Sequence, residues 1–245
     1  MNNQSNRSAM MEDPDRPPPQ GAFPVWMKVY TKPGEQTFQE IIDHPDATAK
    51  NAYIWVFVVG TLSGLINSLT QFVIGVAGLR QTLPGYEQLP DFTGVLGATG
   101  LLGAICGAPI TGVFSVIGFT ISVAIIHWTA RFFGSQEGSF DKLAYAMGAV
   151  VVPFSLVTAL LVPFSVIRFA ALCTLPIILI GSIYVIYLQL AAIKAVYRSG
   201  WLEAAGAFFL PTILIVFLCA CAVMGLIRIA GPAVNDILQQ VQQGL

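Results

Sequence analysis

Charge is what this sequence has least of. Asp, Glu, Lys and Arg make up 10% of its 245 residues, apolar residues make up 55%, and the mean hydropathy is +0.72. A soluble domain carries about 25% charged residues, so this chain has too little polar surface to face water on all sides. The shortage is sharpest in five runs, Asn51–Leu79, Phe92–Ala130, Leu143–Ile167, Phe169–Ile193 and Ala204–Ile227, which hold no Asp, Glu, Lys or Arg. Histidine is nearly absent too, with only His44 and His127.

These absences exclude chemistry. An intramembrane aspartyl protease needs two facing aspartates, and no Asp lies within an apolar run. A zinc protease needs HExxH, and a nucleotide-binding protein needs a Walker or dinucleotide loop; none occurs. Ion-coupled carriers place a carboxylate, histidine or basic group at mid-membrane because protons and ions require one, and no run offers it. The four cysteines, Cys106, Cys173, Cys219 and Cys221, all lie in apolar runs and read as small buried hydrophobes. No disulfide framework, metal site or cofactor is expected. A net charge of −1 gives no reason to expect nucleic acid.

What is present is length. A hydrocarbon core of about 30 Å is crossed by roughly 20 apolar residues in a helix, and each of the five runs reaches that. The sequence predicts an all-α polytopic bundle of five transmembrane helices with amphipathic helices at both ends. Residues 1–24 are a polar, proline-rich arm, expected to be flexible or bound to a partner. Residues 25–50 form an amphipathic interfacial segment, 51–230 the membrane domain and 231–245 an amphipathic C-terminal helix. In the interfacial segment Phe38, Ile41 and Ile42 share one helical face, opposite Glu40 and Asp43, which predicts a short helix lying on the membrane surface. In the last segment Val234, Ile237, Leu238 and Val241 form a stripe at helical spacing. The first apolar run begins near residue 51 behind a polar leader, so no signal peptide is expected.

The first span, about 52–79, carries Gly60 and Gly64 at the spacing that lets helices approach closely. The second run is nearly forty residues long. It reads as one bent or very long helix, with a glycine strip including Gly103 and Gly107 against a neighbour, or else as a re-entrant piece followed by a span. Spans three to five fall near 143–162, 167–192 and 204–229. The segment "VVPFSLVTALLVPFS" places two prolines in one run. Pro153 is a candidate kink, as are Pro109 and Pro176; Pro163 reads as the turn between two helices. Buried prolines are tolerated where neighbouring helices satisfy the freed backbone groups.

Of the twelve Lys and Arg, only Arg80, Arg168 and Arg228 fall on one side of a five-span arrangement. The other nine fall with the leader and the loops near 131–142 and 194–203. Basic residues favour the cytoplasmic side, which puts the amino terminus inside and the carboxyl terminus outside. His127 and Arg131 then sit at the cytoplasmic interface, as packing groups or lipid-headgroup contacts. Asn67, Gln71 and Gln189 read as makers of interhelical hydrogen bonds rather than as a solute path.

Several stretches resemble the Yip family, named for interaction with Rab-type GTPases. "HWTARFFGSQEGSFDKLAYAMGAVVVPF" (127–154) is similar to its mid-section through His127, Arg131, Gly134, Gly138, Ser139, Phe140, Ala144, Tyr145, Ala146 and Pro153. "KVYTKPGEQTFQEI" resembles its opening and "LQLAAIKAVYRSGWLEAAGAFFLP" its join between spans four and five. The resemblance implies five spans with a cytoplasmic amino terminus. In eukaryotic members it also implies a non-enzymatic role in membrane traffic through Rab contact. The Asp-Leu-Tyr-Gly-Pro-like motif of that branch is missing, which places the chain with prokaryotic members, in the inner membrane, where GTPase contact does not carry over.

Two functions are compatible with this reading. The first is a non-catalytic organiser, assembly factor or accessory subunit of a membrane complex, whose partners are lipids and other membrane subunits or itself. The second is a transporter or channel for a lipid or small neutral solute. A cavity between spans two, three and four, lined by Gln189 or Asn67, would favour the second. An intramembrane enzyme would need ionisable groups converging at mid-depth.

Overall fold

A computed structural model of the chain describes residues 21–82, 90–133, 138–166 and 168–214, together with positions 216, 217, 220, 221, 224 and 225. The arm before residue 21, Gly134 and the C-terminal helix expected at 231–245 lie outside the described residues. The described chain is helical throughout: α1 (Ala22–Thr31), α2 (Glu35–Ile42), α3 (Ala49–Thr82), α4 (Pro90–Phe132), α5 (Phe140–Leu161), a 3-10 turn (Val162–Val166) and α6 (Arg168–Tyr197). A further apolar helix, α7, runs over Trp201–Leu214.

Among the described residues four segments are long and apolar enough to cross a membrane: Ala49–Val73, Leu102–Phe132, Phe140–Phe164 and Leu172–Tyr197. Their outer surfaces carry large apolar side chains such as Phe114, Ile121, Leu172 and Ile180, each more than half exposed. In water such flanks would be costly, since burying one of these side chains is worth about 1.5–3 kcal/mol; in lipid they cost nothing. The chain is therefore an integral membrane protein. The free thiols Cys106 and Cys173 are also exposed on these flanks rather than buried in protein, and Cys221, beyond them, is exposed too. An apolar run cannot separate the two cases, because lipid and protein interior are equally apolar.

The second long run is one continuous helix, α4, with Pro109 inside it, and no re-entrant break divides it. Pro153 lies inside α5 and Pro176 inside α6. Pro163 falls in the 3-10 turn that links α5 to α6.

Helix ends follow local chemistry. Ser139 caps α5 by accepting a hydrogen bond from the Lys142 amide at 3.3 Å, and Asp141 sits in the first turn, where the helix dipole favours a negative charge. After α6, Arg198 takes a left-handed conformation (φ 49°) that ends the helix. The Glu203 carboxylate then accepts from the Gly200 amide at 3.1 Å, half of a capping box that starts α7.

α3 and α4 pack along each other, and α3 also packs on α5. The close approach is built on Gly60 and Gly64. A methyl group added at Gly60 would lie 2.7 Å from the Ser115 Cβ, and one at Gly64 would lie 2.8 Å from the Thr111 Cβ. The matching glycine of α4 is Gly112, which faces Thr61 and Phe57 with no room for a side chain. Gly103 and Gly107, expected from the glycine strip to form this contact, have open space where a side chain would be. A periodic strip marks a face of α4 but not the level at which its neighbour crosses it.

The short helices α1 and α2 close one end of the bundle as a collar. Phe38, Ile41 and Ile42 are buried, and α2 packs on α5 and α6. The face that the periodicity predicts to lie on lipid is thus covered by protein. α1 buries Val25 and Val29 and leaves Phe23 and Met27 exposed. Trp26 meets Trp55 of α3 edge-to-face, with ring centres 5.9 Å apart. Inside the collar, residues 143–150 of α5 are all buried, so that stretch has no exposed face.

Candidate functional site

Three features draw together the side chains that could carry function: the collar, a histidine corner, and a cavity inside the bundle.

The collar is tied to the bundle by charge and by tyrosine hydroxyls. Lys28 of α1 pairs with Glu40 of α2 at 2.5 Å, Lys194 of α6 with Glu35 of α2 at 2.6 Å, and Lys142 of α5 with Asp43 at 2.9 Å. Exposed pairs of this kind are worth about 0–1 kcal/mol each, so they set register more than stability. Lys194 also lies 5.0 Å over the ring of Trp201, which stacks on Tyr187. The Tyr30 hydroxyl donates to the Val150 carbonyl at 2.8 Å. Val150 precedes Pro153 by three positions, on the turn where proline interrupts the backbone ladder. Burial holds the Tyr30 phenol well above its ordinary pKa, with Tyr184 adding to the effect.

The histidine corner joins the ends of α4, α5 and α6. His127 Nδ1 and the Tyr197 hydroxyl share a short hydrogen bond. The Phe140 ring stands edge-on to the imidazole at 5.7 Å. Gly138 lies directly against the Tyr197 ring, where no side chain fits. Arg131, one turn on from His127, is exposed and within electrostatic reach of both His127 and Tyr197. The imidazole, expected as a packing group or a headgroup contact, thus faces the protein. Trp128 beside it points outward and is 74% exposed. The corner gathers His127, Gly138 and Phe140 and ends at the Ser139 cap, so one local structure accounts for much of the 127–140 pattern. Two turns further on, Tyr145 is wholly buried with its ring centre 5.0 Å from that of Trp55, and its hydroxyl has no hydrogen-bond partner.

The cavity measures about 600 Å³ and lies between α3, α4, α5, α6 and α7. Its wall is mostly apolar, with Phe119, Met147, Val152 and Phe208 among its residues. Polar groups interrupt the wall: Ser63, Ser115, Ser122, Ser155, Gln189 and Thr212. Among the described residues no ionisable side chain lines it. Gln189 reaches the cavity, as the sequence allowed. Asn67 does not: it is exposed, and its amide donates to the Ser63 carbonyl of its own helix at 2.9 Å. Among the described residues no group of three or more His, Cys, Asp or Glu could hold a metal ion.

A helical bundle with apolar flanks, its described charges gathered at the helix ends and collar, and a half-open apolar cavity between its helices is a polytopic membrane protein. More narrowly, the chain belongs to the Yip1 domain family, whose model matches residues 27–224. The match begins inside α1, so it takes in most of the collar with the bundle. No curated protein and no solved structure matches the chain.

Proposed function

We propose that this protein is a non-catalytic organiser, assembly factor or accessory subunit of a membrane complex, working through helix and lipid contacts. The carrying observation is where its charge sits. Lys28, Glu35, Glu40, Asp43, Lys142 and Lys194 are spent on the collar, while the described residues of the cavity wall include no charged side chain. Moving protons or breaking bonds inside a bilayer needs ionisable groups at depth. Surfaces suited to partners are abundant instead, on the exposed apolar flanks of α4 and α6.

In this reading the chain crosses the membrane five times, with α7 and the residues after it supplying the last crossing. The collar lies in the cytoplasm, the carboxyl terminus lies outside, and the membrane is the inner membrane of a prokaryote. The basic residues that cluster with the collar and the adjoining loops support this orientation. Partners are lipids and other membrane subunits or further copies of the chain.

Gentle purification from the native membrane tests the proposal. A co-purifying membrane subunit or a defined oligomer is expected. A lone monodisperse monomer in several mild detergents would count against it.

The cavity supports a second reading, a carrier or channel for a lipid or small neutral solute, because its wall includes Gln189. Reconstituted vesicles decide: no flux above empty vesicles across a panel of lipids and neutral solutes removes this reading.

A further inference from the structure

We propose that the cavity is a binding site for an uncharged, single-chain lipid with a hydroxyl-bearing head, of the monoacylglycerol type. The inference deepens the cavity reading above, but it needs binding only and not transport.

Size sets the first limit. Small-molecule sites run from about 300 to 1,000 Å³, and about 600 Å³ falls within that range. Charge sets the second. A phosphate or carboxylate would enter a wall whose described residues include no Lys, Arg or His to pair with it, and burying an unpaired charge costs far more than its apolar chain returns.

The polar groups then select the head. Ser115, Ser122 and Ser155 each donate to a carbonyl of their own helix, at 2.8, 2.8 and 2.9 Å. Their hydrogens are spent, and their oxygens remain as acceptors. Such a wall favours a ligand that brings its own O–H donors. Gln189 adds a carboxamide that can donate to an ester carbonyl and accept from a hydroxyl. A glycerol ester with one free chain offers both kinds of group. Phe119, Met147, Val152 and Phe208 supply apolar contact for the chain.

The test uses the full-length protein in vesicles and a monoacylglycerol carrying a photoreactive diazirine on its chain. Labelling of α3–α6 peptides around the cavity is expected, with unlabelled 1-oleoylglycerol competing it away. Gly118 lines the cavity and has open space where a side chain would project, so Gly118→Phe should cut labelling at least tenfold. Gly103→Phe adds the same ring on open space outside the cavity and should leave labelling unchanged. Gln189→Leu should weaken competition at least threefold, which keeps the test decisive if Gly118→Phe fails to fold. Equal competition by oleate or by a phosphatidylglycerol would overturn the proposal. So would labelling that neither Gly118→Phe nor Gln189→Leu reduces. Saturable labelling without flux supports the site and removes the carrier reading, whereas flux without cavity labelling does the reverse.

Discussion

The hydroxyl of Tyr184 donates to the backbone carbonyl of Tyr30 at 2.9 Å, across 154 positions of sequence. The Tyr30 hydroxyl in turn reaches Val150. Two phenols thus pin α1 to α5 and α6 at the level where α5 carries its proline. Each hydrogen bond is worth about 0.5–1.5 kcal/mol net. Tyr30→Phe and Tyr184→Phe should each speed hydrogen exchange in α1 while leaving α3 and α4 protected. Unchanged exchange in α1 would show that the hydroxyls hold nothing.

Tyr30 also predicts an alkaline limit. Its phenol pKa is raised in the folded state by burial, above the ordinary value near 10. The stabilisation linked to the neutral phenol is complete below pH 10 and is lost as the pH climbs through the raised pKa. The melting temperature in detergent should fall between pH 10 and 12, and Tyr30→Phe should flatten that part of the slope. A slope identical in the two proteins contradicts the assignment.

Glycines alike in sequence should differ in consequence. Gly64→Leu and Gly112→Leu force a side chain into the α3–α4 contact, and overpacking costs about 1–3 kcal/mol. Gly103→Leu meets open space and should be close to neutral. Melting temperatures in one detergent decide: equal losses at all three positions would mean that α3 and α4 do not cross where Gly60, Gly64 and Gly112 place them.

Removing the Tyr145 hydroxyl should help rather than harm. The ring fills the space beside Trp55, while the oxygen is buried without a partner. Tyr145→Phe keeps the packing and discards an unsatisfied group, so a gain of roughly 1 kcal/mol is expected. A loss greater than that would reveal a hydrogen bond made by the hydroxyl.

The collar's apolar contacts should outweigh its ion pairs. Glu35→Gln breaks the pair with Lys194, at a cost below about 1 kcal/mol. Phe38→Ala empties a fully buried position, and such truncations cost about 3–5 kcal/mol. Limited proteolysis of the α2–α3 loop compares the two, with rapid cutting expected only in Phe38→Ala.

The spans were legible because charge stops and starts abruptly at Lys50, Arg131, Lys142 and Lys194. The membrane imposes that pattern one residue at a time, and no tertiary information is needed to read it. The collar was half legible. Phe38, Ile41 and Ile42 announce an apolar face, but lipid and the sides of α5 and α6 make the same demand on it. Gly112 was missed because it belongs to no GxxxG pair; the signal available was its small neighbours, Thr111 and Ser115. The cavity was foreshadowed only by Gln189. Its other polar residues are scattered over four further helices, and concavity is a property of how helices diverge, which no single run records.

The covering of the α2 apolar face by α5 and α6 has a consequence for biosynthesis. Chains emerge amino end first, so α2 is made long before the two helices that shelter Phe38 and Ile41. Until α5 and α6 leave the ribosome, lipid is the one apolar surface on offer to that face. A nascent chain halted after α4 would leave the eight residues of α2 to rest on lipid, and they would move onto protein only once their shelter is built.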